Sequence, residues 1–167
     1  LRRLYQTDKI ASQYRAFGAA LGVEFDDEAP RKAAEDAIIK FRELHPEASF
    51  AVGEWMNADP FELALALVRY RFRVPEIYGT LSGENFVYVK QLAKISPETK
   101  VFSNLEPTML YYDGIQSGVN LTIGKDAGYY HKECPNVRWN EEQQPFGYAG
   151  VRRLFEALAE VSYNERT

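Results

Sequence analysis

Two residues of metal-ligand type, His131 and Cys134, are separated by two positions in the sequence HKEC. Imidazole nitrogen and thiolate sulfur are ligands that zinc prefers, and a structural zinc site needs four ligands. The chain has one further histidine, His45, on a different predicted connection, and Cys134 is its only cysteine. The pair therefore predicts either a metal site completed from outside this chain, or a surface histidine and an unremarkable thiol.

Two acidic residues, Glu54 and Asp126, follow apolar runs that are typical of buried strands. A carboxylate at the end of such a strand is a candidate site residue, although the same residue type also caps helices or stays solvated. The sequence has no GxSxG motif and no persuasive acid–base pair that includes either residue. Glu54 and Asp126 therefore remain candidates for cofactor binding, without an assigned catalytic role.

The sequence argues against a nucleotide-binding site. A GxGxxG motif would be expected after the first strand, but the residues there are Glu54, Trp55, Met56 and Asn57. The chain also has no GxxxxGK[S/T] motif. A bulky, acidic first connection would repel a pyrophosphate group from the helix that follows.

Most of the candidate residues lie between Asn120 and Gly150. This stretch begins as an apolar strand and ends where a helix begins, and a long loop from Lys125 to Phe146 is predicted between them. A compact α/β domain rarely keeps so long a loop unless it lines a site or contacts a partner. The loop tryptophan, Trp139, and the tyrosines around it suit either the core or an interface.

Hydrophobic periodicity predicts two helices, Thr7–Leu21 and Glu28–Leu44, before any strand. Strands and helices then alternate. The predicted strands are Ser49–Gly53, Val74–Thr80, Lys100–Ser103 and Leu121–Gly124, and the predicted helices are Pro60–Arg73, Glu84–Ile95, Pro107–Tyr112 and Gly147–Val161. This alternation predicts an α/β fold of three layers, α/β/α, with a four-stranded parallel sheet. Residues 1–45 would be a helical preface, and residues 46–167 a Rossmann-like domain.

Two local expectations concern single residues. Asp59 is predicted to cap the helix that begins at Pro60, with Glu62 completing a capping box. Pro75 is predicted to mark an edge strand, because proline cannot donate a hydrogen bond to a neighbouring strand.

Composition and charge exclude several partners. With 20 basic and 24 acidic residues the net charge is −4, so neither nucleic acid nor an anionic membrane is favoured. A single cysteine cannot form an internal disulfide, and no apolar segment has the length of a signal peptide or membrane span. These features predict a cytoplasmic location. The first residue is Leu1 rather than methionine, which favours a piece of a longer polypeptide.

The segment Pro145–Gly150 (PFGYAG), which follows Trp139 and leads into a helix, resembles the carboxyl-terminal domain of the nitrogenase component 1 family. That family includes the molybdenum–iron protein subunits, the scaffold subunits that assemble their cofactor, and dark-operative protochlorophyllide reductase. In it, a tryptophan-containing loop leads to a GYxG turn that begins a helix. The likeness spans about residues 24–160.

The resemblance implies a chelatase-like domain with a four-stranded parallel sheet, one of several in a longer subunit of an iron–sulfur-dependent oxidoreductase. It also implies two partners, a second component 1 subunit and an ATP-dependent iron–sulfur reductase. The full-length protein would carry an iron–sulfur or related metallocluster, whose ligands in this family are mostly cysteines from earlier domains. No cofactor is therefore expected in this chain alone, which would be inactive by itself.

By the same resemblance, the loop Lys125–Phe146 would border a metallocluster or substrate cavity. One position departs from the family pattern: Val137 stands where the catalytic nitrogenase subunit has a metal-ligating histidine, which argues against a standard nitrogenase active site. A non-catalytic scaffold or cofactor carrier is the alternative, and a stand-alone small-molecule binding domain is a third. The candidate cofactor-binding residues are Glu54, Asp126, His131, Cys134, Trp139 and Tyr148, with His131 and Cys134 also candidate metal ligands.

Overall fold

In the computed structural model, which describes residues 3–112 and 117–164, a parallel sheet is packed between helices. Its strands are β1 (Ser49–Val52), β2 (Arg73–Tyr78), β3 (Lys100–Phe102), β4 (Leu121–Ile123) and β5 (Asn136–Val137). The α-helices are α1 (Thr7–Leu21), α2 (Glu28–Leu44), α3 (Pro60–Arg69), α4 (Phe86–Ile95), α5 (Lys125–Tyr130) and α6 (Gly147–Asn164). A 3₁₀ helix spans Pro107–Tyr111.

The sheet has five strands rather than the predicted four, in the order β3-β2-β1-β4-β5. The additional strand, β5, lies within the predicted loop Lys125–Phe146, and so does α5. The prediction of one long loop is therefore wrong. Elements of two and six residues are too short to show a hydrophobic period. β5 is defined instead by its backbone, since Gly124 N–H donates to the carbonyl oxygen of Val137 over 2.9 Å.

The two faces of the sheet are covered unequally. Helices α1, α2, α3, α4 and α6 supply the core over one face, here called the thick face, whereas α5 and the 3₁₀ helix cover the other, the thin face. Successive side chains of a strand point to opposite faces. In β1, Phe50 and Val52 accordingly belong to the large core of the thick face, and Ala51 between them belongs to the small core of the thin face.

The beginning of α3 is formed partly as predicted. Asp59 is the N-cap, and its Oδ1 accepts hydrogen bonds from the backbone N–H groups of Phe61 and Glu62, each over 2.9 Å. Glu62 does not complete a capping box. Its carboxylate instead accepts hydrogen bonds from the backbone of Tyr5 (2.9 Å) and the side chain of Gln6 (3.0 Å), so that it ties the segment before α1 to α3.

Pro75 does not mark an edge strand, because β2 pairs with β1 on one side and with β3 on the other. The pairing of β2 with β1 is irregular at this point: Ser49 is opposite Arg73, whereas Ala51 is opposite Glu76. Pro75 lies in this irregular segment, so its missing N–H group interrupts no regular ladder of hydrogen bonds.

Candidate functional site

The order of the strands places a crevice between β1 and β4. The chain moves outward from β1 to β3 in one direction and from β4 to β5 in the other, so the order reverses between these two neighbouring strands. Ligands of open parallel sheets bind at the carboxyl ends of the strands at such a reversal. Here those ends lead into Glu54 and Asp126, as the sequence predicts.

Asp126 holds the connection that leaves β1. Its carboxylate, 8% exposed, accepts hydrogen bonds from the backbone N–H groups of Glu54 (2.9 Å) and Trp55 (3.1 Å). Gly53 makes this approach possible, because a Cβ atom at that position would lie 2.0 Å from Asp126 Oδ1. Gly124, which precedes α5, has φ +102°, a conformation that residues with side chains rarely adopt.

Asn104 joins the carboxylates of Asp126 and Glu54. Its Nδ2 donates to Asp126 Oδ2 over 2.8 Å and to Glu54 Oε1 over 3.1 Å. The other oxygen of Glu54 accepts from the backbone N–H of Thr80 over 2.7 Å. Both carboxylates are therefore engaged in holding together the connections that follow β1, β2, β3 and β4.

The connections that leave β1, β2 and β3 each expose a large apolar side chain. Trp55 is 58% exposed, Leu81 55% and Leu105 79%. The ammonium group of Lys125 lies 5.6 Å from the centre of the Trp55 ring, in a cation–π contact. We call Trp55, Leu81 and Leu105 the apolar row. It lies at the carboxyl edge of the sheet, where sites in such folds are found.

Trp139 and Tyr148 are both buried in the domain. Trp139 is 2% exposed, belongs to the core of the thick face and hydrogen-bonds through Nε1 to the hydroxyl of Tyr5. Tyr148 is also 2% exposed, and its ring lies edge-on to Tyr14 with the centroids 5.4 Å apart. The carbonyl oxygen of Trp139 accepts from the backbone N–H of Asn57 over 2.8 Å. Residues 138–146 thus reach the carboxyl edge beside the β1–α3 connection.

His131 is buried against the thin face, remote in sequence from the residues it contacts. Its Nε2 lies 2.7 Å from Glu76 Oε2, and the Tyr78 hydroxyl donates to the same oxygen over 2.7 Å. The Tyr112 hydroxyl donates to the other oxygen of Glu76. The interpretation of His131 as a surface residue is therefore wrong, since its side chain is 5% exposed.

The hydrogen bonds determine the charge of this cluster. Burial alone would raise the pKa of Glu76, but the hydrogen bonds from His131, Tyr112 and Tyr78 outweigh burial and hold that pKa below its usual value. The pKa of Tyr78 is raised because its hydroxyl is buried and bonded to other groups of the cluster. Glu76 is therefore the anionic centre, with hydroxyl and imidazole groups arranged around it.

His131 and Cys134, the candidate metal ligands, form no metal site with the other residues that the structure describes. His131 directs Nε2 to Glu76, and Cys134 Sγ lies 3.5 Å from the carbonyl oxygen of Val119. Within residues 3–112 and 117–164, no three His, Cys, Asp or Glu side chains are arranged to hold a metal ion. The implied metallocluster thus does not fit the donor groups that the structure describes.

Sequence reasoning missed Glu76, Tyr78, Tyr112 and Asn104. One signal for Glu76 was present: a carboxylate in the middle of the apolar strand VPEIY needs buried partners. Nothing in the sequence shows that two of those partners, Tyr112 and His131, lie directly after the 3₁₀ helix and α5.

No helix within the described ranges is both long enough and apolar enough to cross a membrane.

Comparison with solved structures shows the fold. The chain superposes on a structure described as nitrogenase Cp1 at pH 6.5 with a TM-score of 0.72 and 17% sequence identity. The match covers 99% of this chain and 40% of that one, so the chain spans less than half the length of its structural neighbour. No protein-family model and no curated protein matches the sequence. The fold is therefore that of a nitrogenase component 1-like domain, with five strands.

Proposed function

We propose that this chain is the carboxyl-terminal α/β domain of a nitrogenase-like component 1 oxidoreductase subunit. In the full-length protein, the carboxyl edge of its sheet borders a metallocluster or substrate cavity that other parts of the molecule complete. The fold likeness over 99% of the chain supports this proposal. By itself the likeness concerns architecture, so the argument for function rests on the carboxyl edge.

The apolar row is the observation that carries the proposal. Large apolar side chains exposed on neighbouring connections at one edge of a sheet can mark a binding site or a surface that packs against another part of a protein. Trp55, Leu81 and Leu105 belong to three successive connections, which Glu54 and Asn104 hold side by side through hydrogen bonds. An apolar edge of this kind suits the wall of a cavity.

The cluster ligands of the intact protein would come from outside the described residues. Val137, at the position of the family's metal-ligating histidine, is a strand residue 7% exposed and packed in the core of the thick face. Glu54 and Asp126 are already satisfied by hydrogen bonds. In this proposal, the chain shapes the cavity and excludes water from it, whereas cysteines elsewhere hold the cluster.

The test replaces one residue of the apolar row in the full-length protein. Leu81→Ser should lower the iron content per subunit and the visible absorption, because a polar group would open the wall to water. Its matched control is Leu21→Ser at the end of α1, since the two leucines are almost equally exposed, 55% and 57%. Both variants should melt within about 2 °C of the parent, because exposed positions contribute little to stability. Equal iron content in both variants would overturn the proposal.

Two partners follow from the proposal, a second component 1 subunit and an ATP-dependent iron–sulfur reductase. Co-purification of the full-length protein with a second subunit, and ATP-dependent electron transfer from the reductase, would test them. Neither assay should succeed with this chain alone, because the surfaces involved would be incomplete.

A non-catalytic scaffold for cofactor assembly is the second candidate. Two observations favour it. Glu54 and Asp126 are both engaged in hydrogen bonds at the carboxyl edge, and position 137 is occupied by a valine. The two candidates differ in turnover. A scaffold would transfer its cluster to an acceptor protein without ATP-dependent substrate reduction, whereas an oxidoreductase would retain its cluster through many turnovers.

A further inference from the structure

A cavity of about 570 Å³ lies against the thin face, and its lining includes none of the residues of the apolar row. Its walls come from the 3₁₀ helix, the end of α5 and the turn that follows α5. Pockets that bind small molecules have volumes of roughly 300–1,000 Å³ and are mostly apolar, with a few fixed polar groups. This cavity has the size of such a pocket, and its lining combines apolar and aromatic side chains with polar ones.

Tyrosine rings form the walls. The rings of Tyr112 and Tyr130 are perpendicular, at 90° with centroids 5.7 Å apart, and those of Tyr129 and Tyr130 make an angle of 79° at 5.3 Å. Tyr130 also stacks on Tyr78 at 4.7 Å, which fixes its plane. Aromatic rings prefer stacked and edge-to-face contacts with other rings. Met109 adds a thioether, which also packs favourably against aromatic rings.

His131 provides a polar group with a fixed orientation in the lining. Because its Nε2 bonds the carboxylate of Glu76 over 2.7 Å, that nitrogen carries a proton. The other ring nitrogen, Nδ1, can form a hydrogen bond with a polar group of a ligand. Glu76 is held by Tyr78 and Tyr112 as well, so the histidine has little freedom to turn.

The charges around the cavity favour an uncharged ligand. Lys132 and Glu133 stand next to each other in the lining with opposite charges, and the ammonium group of Lys132 lies 5.1 Å from the centre of the Tyr129 ring. The charge of Glu76 is satisfied by three hydrogen-bond partners. An ionic ligand of either sign would therefore meet a like charge as well as an opposite one in the lining.

We propose that this cavity binds an uncharged planar aromatic molecule that carries one polar, hydrogen-bonding group. The ring packs between the tyrosines and the polar group bonds to His131. The site is separate from the carboxyl edge, so it is tested independently of the proposed oxidoreductase role.

The protein's two methionines provide an internal control for the test. Met109 lines the cavity, whereas Met56 packs against the core of the thick face. With both methyl groups labelled with ¹³C, titration with indole should shift the Met109 signal and leave that of Met56 in place. A Kd of about 1 mM or below is expected for a probe of this size. Benzoate, which is planar but anionic, should bind more weakly.

Variants locate the site. Tyr129→Ala removes a wall that is 64% exposed, so the fold should persist while indole binding weakens roughly tenfold. The matched control is Tyr111→Ala, a neighbouring tyrosine, 88% exposed, that is not part of the lining. The affinity of this control for indole should equal that of the parent.

His131→Gln is the second variant. It should weaken the binding of indole more than the binding of toluene, which has no donor group. The proposal is overturned if Met109 does not respond, if both methionines respond equally, or if Tyr129→Ala binds indole as the parent does.

Discussion

The thick and thin faces of the sheet differ in what fills them. Five helices pack on the thick face, and its core contains a group of aromatic rings in mutual contact, Phe41, Phe50, Phe72 and Phe155. On the thin face, α5 and the 3₁₀ helix cover a small core beside a buried carboxylate, a histidine and a cavity. The same short strands supply both faces, since side chains alternate along them.

The two faces therefore have different roles: the thick face contributes most to stability, and the thin face has room for recognition of a ligand. Burial of apolar area is the main favourable contribution to folding, and most of that area lies on the thick face. A buried, hydrogen-bonded carboxylate contributes little net stability, because removing its charge from water offsets the hydrogen bonds it gains. The thick face therefore holds the domain together, while the thin face can keep polar groups and open space.

The largest effect is expected from shortening an aromatic side chain in the thick face. Phe50→Ala should lower the free energy of unfolding by about 3–5 kcal/mol, because Phe50 is fully buried and would leave a cavity among rings. Phe102→Ala, at a half-buried position packed against the thin-face core, should cost about 1–2 kcal/mol. Urea unfolding measures both values. Equal losses would show that the two faces contribute alike.

Glu62 should give the thick face a dependence on pH. Burial raises its pKa from 4.5 to about 7, despite the hydrogen bonds it accepts from Tyr5 and Gln6. The folded state therefore binds a proton more tightly than the unfolded state. The stability that this proton supplies is complete below pH 4.5 and is lost as pH rises through 7. The free energy that corresponds to this rise in pKa is on the order of 3 kcal/mol.

Measurement of unfolding free energy from pH 4 to 8 in parent and Glu62→Gln tests this expectation. The variant cannot titrate at this position. Between pH 4.5 and 7 its free energy of unfolding should therefore fall by about 3 kcal/mol less than that of the parent. Glu84→Gln, at an exposed position away from the hydrogen-bond partners of Glu62, is the control and should retain the slope. A parent curve that rises through this range would contradict the assignment of the raised pKa.

A smaller effect is expected from Glu76→Gln on the thin face. The amide keeps one oxygen acceptor but cannot accept from His131, Tyr78 and Tyr112 as the carboxylate does, so a loss of about 1–3 kcal/mol is expected. The pKa of Glu76 is lowered in the folded state, so its contribution is present above pH 4.5 and is lost as pH falls further. The parent-minus-variant difference should therefore shrink below pH 4.5, opposite in direction to Glu62.

Much of the fold followed from residue patterns. Helices α1 and α2 have the predicted bounds, because their apolar residues recur at helical spacing and a glycine ends the first. Three of the four longer strands were found because buried parallel strands are short apolar runs, whereas β3 is a largely exposed strand at the edge of the sheet. Strand β5 was missed, since a two-residue strand exists only through its pairing with β4. Glu62 was misassigned because its partners lie before α1, far away in sequence.

The candidate site was predicted less completely. Glu54 and Asp126 were located at the carboxyl ends of their strands, and the structure places them together there. Trp139 and Tyr148 were assigned by resemblance, but the structure buries both in the core of the thick face. His131 and Cys134 line one cavity, yet the partner of His131 is Glu76, fifty-five positions away in sequence.

Residue patterns alone specify most of the helices and strands, the parallel sheet, and the place where its carboxyl edge begins. These properties depend on hydrophobic periodicity, capping residues and glycines, which act over a few neighbouring positions. Packing between distant segments specifies which face of the sheet is thin, which donors surround Glu76, and that Trp55, Leu81 and Leu105 stand at one edge. Contacts of this kind depend on strand order and on how the chain crosses the sheet, and no local pattern of residues encodes either.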